Sequence, residues 1–371
     1  MPPARVCIIG VGGISDVYAA AIASIPGDAE LVAGCCRTEA KGRAFEVKFN
    51  CKWYIDYHAM LDAEKPDAAL ITTPSGSHLE PTLACAERKV HVLSDKPLEI
   101  TLERCDRMIG ACEAAGVQLG CVFQSRFTPA LAPIHAAAAA GRFGSLAMLS
   151  GYVPWWRADD YYAPSRWQGT LALDGGGAVI NQAIHTIDML IWLADAAMPE
   201  LGADQNPVVE VQAMTSRRGH GEEVEVEDTA VATLRFRNGC LGQVLAATSM
   251  FPGGERLVWM AGRDGTAELR GNQITRFQFR EPLEGDAAVS APPTQDGKPG
   301  NASDPLGGHD LGPIAAMITN FLAGCGVAAE KGGTAVYPVS GREGRKALEV
   351  VLAIYESART GRPAVPGAPC A

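Results

Sequence analysis

The stretch IIGVGGISDVYAAAI, Ile8–Ile22, decides the fold. An apolar run ends in glycines, and a helix-like segment continues until Pro26. Gly10, Gly12 and Ser15 stand at GxGxxS spacing, with Gly13 and Ile14 at the start of the helix. The first glycine permits a tight turn, and the second lets the backbone approach a pyrophosphate. The helix start then offers free N–H groups to the anion. Ser15 is a small substitute at the position that needs close helix–strand packing. The bare alternative is a glycine-rich turn without a ligand. The pattern of the next hundred residues favours a dinucleotide. AELVAGCCR, DAALITTP, VHVLSDKP and VQLGCVFQSRF read as four further strands, with helix-like segments between them. Such alternation implies a parallel sheet with helices on both faces.

The end of the second strand bears on which dinucleotide. An acid there would bind the ribose 2'-hydroxyl of NAD. Cys36 stands in that place, followed by Arg37, a pair that suits the 2'-phosphate of NADP. The expectation is NAD(P), with NADP slightly favoured.

After Arg126 the pattern changes. PALAPIHAAAAAGRFG reads as a helix. SLAMLSGYV, VVEVQAMTS, DTAVATLRF, CLGQVLAATS, RLVWMAG, AELRG and ITRFQF then read as strands with no helices between most of them. FRNGCL has the chemistry of a hairpin turn. Residues 284–308 are rich in Pro, Gly, Asp and Ser and read as an exposed loop. A final helix is expected in GREGRKALEVVLAIYESARTG. The expected class is α/β, in two domains. Residues 1–127 form a Rossmann dinucleotide-binding domain. Residues 128–371 form an α+β domain for substrate and oligomerisation, with a large, mostly antiparallel sheet.

Composition excludes several classes. A formal charge of −10 argues against a nucleic-acid binder. No apolar run reaches the roughly 18 residues of a membrane span. The eleven cysteines show no metal-ligand spacing, so no metal is expected, and they suit a reducing cytoplasm.

One oily segment is unusual. GGGAVINQAIHTIDML, Gly175–Leu190, carries Asn181, His185 and Asp188 on one stripe of an otherwise apolar helix. Unpaired polar groups buried in oil are costly, so the stripe is expected to face partners or a cleft. The glycine run lets the helix start approach something bulky.

Four segments together resemble the Gfo/Idh/MocA oxidoreductases. They are TTPSGSH, VHVLSDKPLEIT, GGGAVINQAIHTID and YPVSGREGRKALEVVLAIYESARTGRP. The second is similar to a Glu-Lys-Pro signature with Asp95 replacing Glu. The third is similar to Asp-x-x-x-His with Asn181 replacing Asp. WWRADDYYAPSRWQGTLALDGGG, preceding Ala178, looks most like the branch containing UDP-N-acetylglucosamine 3-dehydrogenase. The resemblance implies hydride transfer between nicotinamide and a ring carbon of a sugar, sugar derivative or cyclitol. Lys96 and His185 would handle the proton, with Asn181 beside them. Asn181 lowers the negative charge there, which would suit a substrate carrying phosphates or a carboxylate.

The cofactor set implied by the loop and the resemblance is Gly10, Gly12, Gly13, Ile14, Cys36, Arg37, Thr73, Pro74, His78, Asp95, Lys96, Gln124 and Trp167. His78 also reads as a brace of the fold. The substrate set is Lys96, Arg126, Arg157, Tyr161, Tyr162, Asn181, His185 and His309. Aromatic planes suit sugar rings, and Arg157 suits a carboxylate or phosphate. The resemblance also implies a homodimer or homotetramer. Two alternatives stay open: redox-neutral glycoside cleavage with retained NAD, and a dinucleotide-binding sensor without turnover.

Overall fold

The first strands are apolar at almost every position, as strands buried on both faces must be. In the computed structural model, which describes residues 2–163, 166–290, 310–327 and 337–368, they run β1 (Ala4–Ile9), β2 (Ala29–Cys35), β3 (Lys52–Tyr54), β4 (Ala68–Ile71), β5 (His91–Ser94) and β6 (Leu119–Cys121). Between them lie α1 (Gly13–Ala23), α2 (Glu39–Phe49), α3 (Tyr57–Glu64), α4 (Leu79–Glu87) and α5 (Leu102–Ala115). All the strands are parallel, in the order β3-β2-β1-β4-β5-β6. The order reverses between β1 and β4, and open α/β sheets bind ligands outside the strand ends at such a reversal. Two elements, β3 and α3, lie in a segment whose pattern suggests neither. The expected fifth strand is short: β6 stops at Cys121, and Gln124–Phe127 forms a 3₁₀ turn.

The second sheet comes after α6 (Leu131–Ala139). Its strands are β7 (Leu146–Pro154), β8 (Val208–Ser216), β9 (Thr229–Phe236), β10 (Leu241–Ala247), β11 (Leu257–Gly262), β12 (Gly265–Arg270) and β13 (Gln273–Phe279). The helix α7 (Ile184–Ala196) intervenes between β7 and β8. The order is β13-β12-β11-β7-β10-β9-β8, antiparallel except where β10 meets β7. The turn between β9 and β10 holds Gly239 at φ +86, as the FRNGCL reading requires. One face of this sheet is covered by α7. At Gly151 a Cβ would come within 2.3 Å of the Thr186 methyl, so glycine is what permits that approach. The other face leaves Met214 80%, Val231 48% and Leu241 48% exposed.

After the short α8 (Asp286–Val289) come α9 (Leu311–Gly324) and α10 (Gly341–Thr360). Contacts group Met1–Phe127 with His309–Arg345, and Thr128–Gly308 with Lys346–Ala371. The sequence pattern alone assigns everything after residue 127 to the second domain. The difference comes from the open edge of β6. The Cys121 N–H donates to the Val339 carbonyl, the Tyr337 hydroxyl donates to the Cys121 carbonyl, and Gly120 pairs with Ser340. An uncovered edge strand exposes unpaired backbone groups, and residues 337–340 close this one. The edge of β8 is closed in the same way, by Ala364 against Val211. Among the described residues no helix is long and apolar enough to cross a membrane.

Gly120 tests the docking of this returning segment. A Cβ there would lie 2.8 Å from the Tyr337 ring and 3.0 Å from Leu93 and Phe321. Gly120→Ala is expected to lose about 1–3 kcal/mol by overpacking, read from the urea midpoint. Adding Tyr337→Leu should recover part of that loss. Simple additivity of the two would mean the segment is not held there.

Candidate active site

In the first unit the phosphate loop is crowded at one glycine and bare at the next. Gly10 adopts φ +109, and a Cβ on it would lie 2.5 Å from the Thr73 nitrogen. Turn geometry and the close approach of the β4 end both require glycine there. Gly12 is different. Its backbone is extended, and a Cβ would meet only the Gly10 carbonyl oxygen, at 4.0 Å. Among the described residues nothing demands glycine at that point, and an anion approaching the backbone would. Ser15 does more than stay small. Its hydroxyl accepts from the Gly12 N–H at 2.8 Å and donates to the Gly12 carbonyl at 2.6 Å, capping α1. Gly13 and Ile14 open that helix.

The turn after β5 is tied to the same loop. Asp95 Oδ1 accepts from the Tyr18 hydroxyl on α1 at 2.9 Å and from the Lys96 N–H at 2.8 Å. Burial and the Asp95 charge push the Tyr18 phenol well above its usual range. Asp95 therefore anchors the half-buried Lys96, whose peptide bond to Pro97 is cis. His78 is 1% exposed, with Nε2 3.0 Å from the Thr73 carbonyl and Nδ1 3.0 Å from the Pro97 carbonyl. Its place is that of a brace between the Thr73–Pro74 turn and the Lys96 turn. Arg126 is held in a similar way. It is 7% exposed, its Nη2 lies 3.0 Å from Glu343, and its Nη1 donates to the Pro338 carbonyl. Gln124 is the opposite case: its Oε1 is buried with no hydrogen-bond partner among the described residues. Cys36 is half-buried and Arg37 exposed, just past β2. A bare Gly12 and an orphaned Gln124 oxygen fit a bound dinucleotide in this unit.

The second unit holds the oily segment. It starts as a π-helical turn, Ala178–Ala183, before continuing as α7. Such turns are rare and concentrate at functional sites. A helix start leaves N–H groups without partners, and here those groups are buried. Glu227 reaches them from 50 residues away. Its Oε2 accepts from Gly177 N–H at 2.9 Å, its Oε1 from Val179 N–H at 2.8 Å, and its carbonyl from Ala178 N–H at 3.0 Å. The Tyr355 hydroxyl accepts from Ile180 N–H at 3.2 Å and donates to Glu227 at 3.0 Å. Burial pushes the Glu227 carboxyl up, against the pull of the Val179 and Gly177 N–H groups and the Tyr355 hydroxyl. The glycine run follows from this clamp. A Cβ at Gly176 would lie 2.1 Å from the Tyr355 oxygen, and one at Gly177 1.9 Å from the Glu227 carbonyl oxygen.

The polar stripe is more buried than expected. Asn181 is 8% and Asp188 0% exposed, while His185 is half-buried. The negative charge that Asn181 seemed to withdraw is present beside it: Asn181 Nδ2 donates to Asp174 Oδ1 at 2.7 Å. Arg157 is 1% exposed, donates to Gln182 Oε1 at 2.8 Å and lies 5.0 Å from the Trp155 ring. Tyr162 packs in a small apolar cluster with Val224 and Val226, which makes it a support for the loop. Tyr161 lies at the rim of that cluster, and its hydroxyl accepts from Gln182 at 3.1 Å. Burial, with the Asp174 charge, pushes its phenol up to about 12, so it acts as a hydrogen-bonding group near neutral pH. Trp167 is half-buried, and its carbonyl accepts from the Thr170 hydroxyl. His309 lies outside the described residues. Among the described residues no cluster fit to hold a metal occurs.

Asp174, Gln182, Glu227 and Tyr355 do not stand out in the sequence as site residues. Asp174 does carry a signal, as the one charge directly before three glycines. Glu227 carries none, because EVEVED reads as a solvated strand edge.

Comparison with known proteins agrees along the chain. Residues 4–123 match the GFO/IDH/MocA oxidoreductase family with the NAD-binding Rossmann fold, and residues 132–268 match the GFO/IDH/MocA C-terminal domain. A myo-inositol 2-dehydrogenase of Thermotoga maritima is 30% identical over 65% of this chain and 67% of its own length. A D-glucoside 3-dehydrogenase of Escherichia coli is 30% identical over 64% of this chain and 68% of its own. The WlbA dehydrogenase of Bordetella pertussis, solved with NADH and UDP-GlcNAcA, superposes with a TM-score of 0.83. It is 30% identical, and the likeness covers 100% of this chain and 99% of that one.

The clamp is testable by itself. Tyr355→Phe removes a partner from both a buried N–H and a buried carboxylate, and is expected to destabilise by about 1–3 kcal/mol in thermal unfolding. Gly177→Ala meets backbone that has no side chain to yield, and should lose at least about 3 kcal/mol. Wild-type stability in both variants would show that the helix start is held by something else.

Proposed function

The chain belongs to the GFO/IDH/MocA family of NAD-binding oxidoreductases, and from that premise we propose how its residues divide the work on a sugar, sugar derivative or cyclitol. The observation that carries the division is the pair of bare positions in the first unit, Gly12 and the Gln124 oxygen. The loop Gly10–Ile14 holds the pyrophosphate against the start of α1. Thr73, Pro74 and Gln124 hold the nicotinamide half, and Cys36 and Arg37 the adenosine ribose. When bound, the dinucleotide accepts or returns a hydride at a ring carbon. Lys96 donates a hydrogen bond to the reacting hydroxyl, because an ammonium group carries three donors and no acceptor. His185 takes the proton, since a neutral imidazole carries one acceptor nitrogen. Asn181 and Tyr161 orient the ring by hydrogen bonds, and Trp167 adds an aromatic plane.

The absence of an acid after β2 and the exposure of Arg37 support NADP over NAD. Met214, Val231 and Leu241 on the open sheet face support a homodimer or homotetramer. The free thiols of the described cysteines support a reducing, cytoplasmic setting.

A screen for reduced-nicotinamide absorbance, with both cofactors over sugars, cyclitols and nucleotide sugars, tests the proposal. Lys96→Met and His185→Asn are each expected to lower kcat roughly 10²–10⁴-fold, with cofactor affinity retained in His185→Asn. Release of free sugar without net cofactor reduction would replace this reading with glycoside cleavage. Cofactor binding without turnover of any compound would leave a sensor. Fluorescence titration of NADPH and NADH tests the cofactor. Arg37→Ser should weaken NADPH about tenfold, the equivalent of ~1.4 kcal/mol, and NADH little. Tighter NADH binding in the wild type would reverse the preference.

A further inference from the structure

The buried amides around Asn181 form a line of hydrogen bonds with a direction. Arg157 Nη2 donates to Gln182 Oε1 at 2.8 Å. A guanidinium only donates, so Gln182 turns its oxygen that way and its NH₂ group the other. That NH₂ group reaches the Tyr161 hydroxyl at 3.1 Å and Asn181 Oδ1 at 3.3 Å. The Asn181 NH₂ group then faces Asp174 Oδ1 at 2.7 Å, and Asp174 Oδ2 accepts from the Gly169 N–H at 2.9 Å. Arg157, Gln182, Asn181 and Asp174 are 1%, 6%, 8% and 1% exposed. Reversing either amide would set NH₂ against the guanidinium, or two oxygens against each other. The charged ends therefore decide the sense of both amides between them.

We propose that Asp174 is a positioning residue for the sugar site, supplying from one amide away the negative charge that position 181 lacks and fixing the Asn181 amide in one sense. Arg157 is the opposite pole of the same line. Its role is to orient Gln182, and through it Asn181, from inside the protein. The kinetic meaning of the line rests on the sugar-oxidoreductase reading above. The coupling itself is a property of the second unit alone.

Charge at the two positions should then be exchangeable but not additive. Asn181→Asp would set two carboxylates in direct contact. Both cannot ionise at such a range, so they must share a proton and one titrates high. Asp174→Asn removes the negative pole and leaves the sense of Asn181 set from the Arg157 end alone, through one longer hydrogen bond from Gln182. The exchanged protein, Asp174→Asn with Asn181→Asp, again places one carboxylate against one amide.

Wild type, both single variants and the exchanged protein are compared by thermal unfolding, by titration with reduced cofactor, and by kcat across pH on a substrate found in the screen. Each single variant should lose kcat roughly ten- to hundredfold through misplacement, with cofactor affinity unchanged. Asn181→Asp should gain an ionisation in its kcat–pH profile that the wild type does not show. The exchanged protein should recover most of the loss in kcat, and should melt higher than the two single shifts added together predict. An exchanged protein no better than the worse single variant overturns the proposal. So does an unchanged pH profile in Asn181→Asp. If the wild type turns over nothing in the screen, the functional reading fails and the melting cycle decides alone. Strict additivity of the melting shifts then overturns the line, and a non-additive gain upholds it.

Discussion

A buried helix start must have its N–H groups satisfied, and much of the second unit follows from how that is done here. Glu227 and Tyr355 bring two oxygen-bearing side chains and a carbonyl to four consecutive N–H groups, Gly177 to Ile180. Charge at a helix N-terminus is favourable, by up to about 2 kcal/mol where it is partly buried. The approach leaves no room for a Cβ at Gly176 or Gly177. The glycine run is therefore a condition of the clamp, and the clamp places the turn that carries Asn181. It also means that this helix start is already occupied by an internal carboxylate.

The first unit treats its own helix start in the opposite way. Ser15 closes one N–H of α1 onto Gly12, and the space in front of Gly12 stays open. Around that opening the protein is firmly held. Tyr18 ties α1 to Asp95, and His78 ties the Thr73 turn to the segment after Lys96. One unit thus uses its helix start for its own structure, while the other leaves the space before Gly12 open among the described residues.

The sequence is most legible where periodicity is strong. Most strands of the second sheet alternate or run apolar, and each lies close to where its pattern places it. The three-residue β3 and the weakly patterned YHAMLDAE of α3 carry too little signal. The place of α9 is invisible for another reason. It depends on Phe321 and Tyr337 packing at Gly120, some two hundred positions earlier. A π-helical turn has no residue code of its own, so Ala178–Ala183 reads as ordinary helix. In the candidate site, residues with distinctive chemistry stand out: Gly10, Gly12, Lys96, Asn181 and His185. Their supports do not, since Glu227 and Tyr355 gain meaning only from partners 48 to 175 residues away. The burial of Arg126 and Arg157, 7% and 1% exposed, is not legible either, because an arginine looks the same in sequence whether it faces water or the interior.

Both sheets are finished by the last part of the chain. Ser340 covers the outer edge of β6, and Ala364 covers the outer edge of β8. During synthesis, therefore, each sheet has all its own strands well before its border is sealed. A ribosome adds roughly 5–20 residues per second, so an unsealed border persists for seconds after the last strand has emerged. In that interval the nascent chain presents strand edges open to pairing with other chains, and only segments made well after the strands end the exposure.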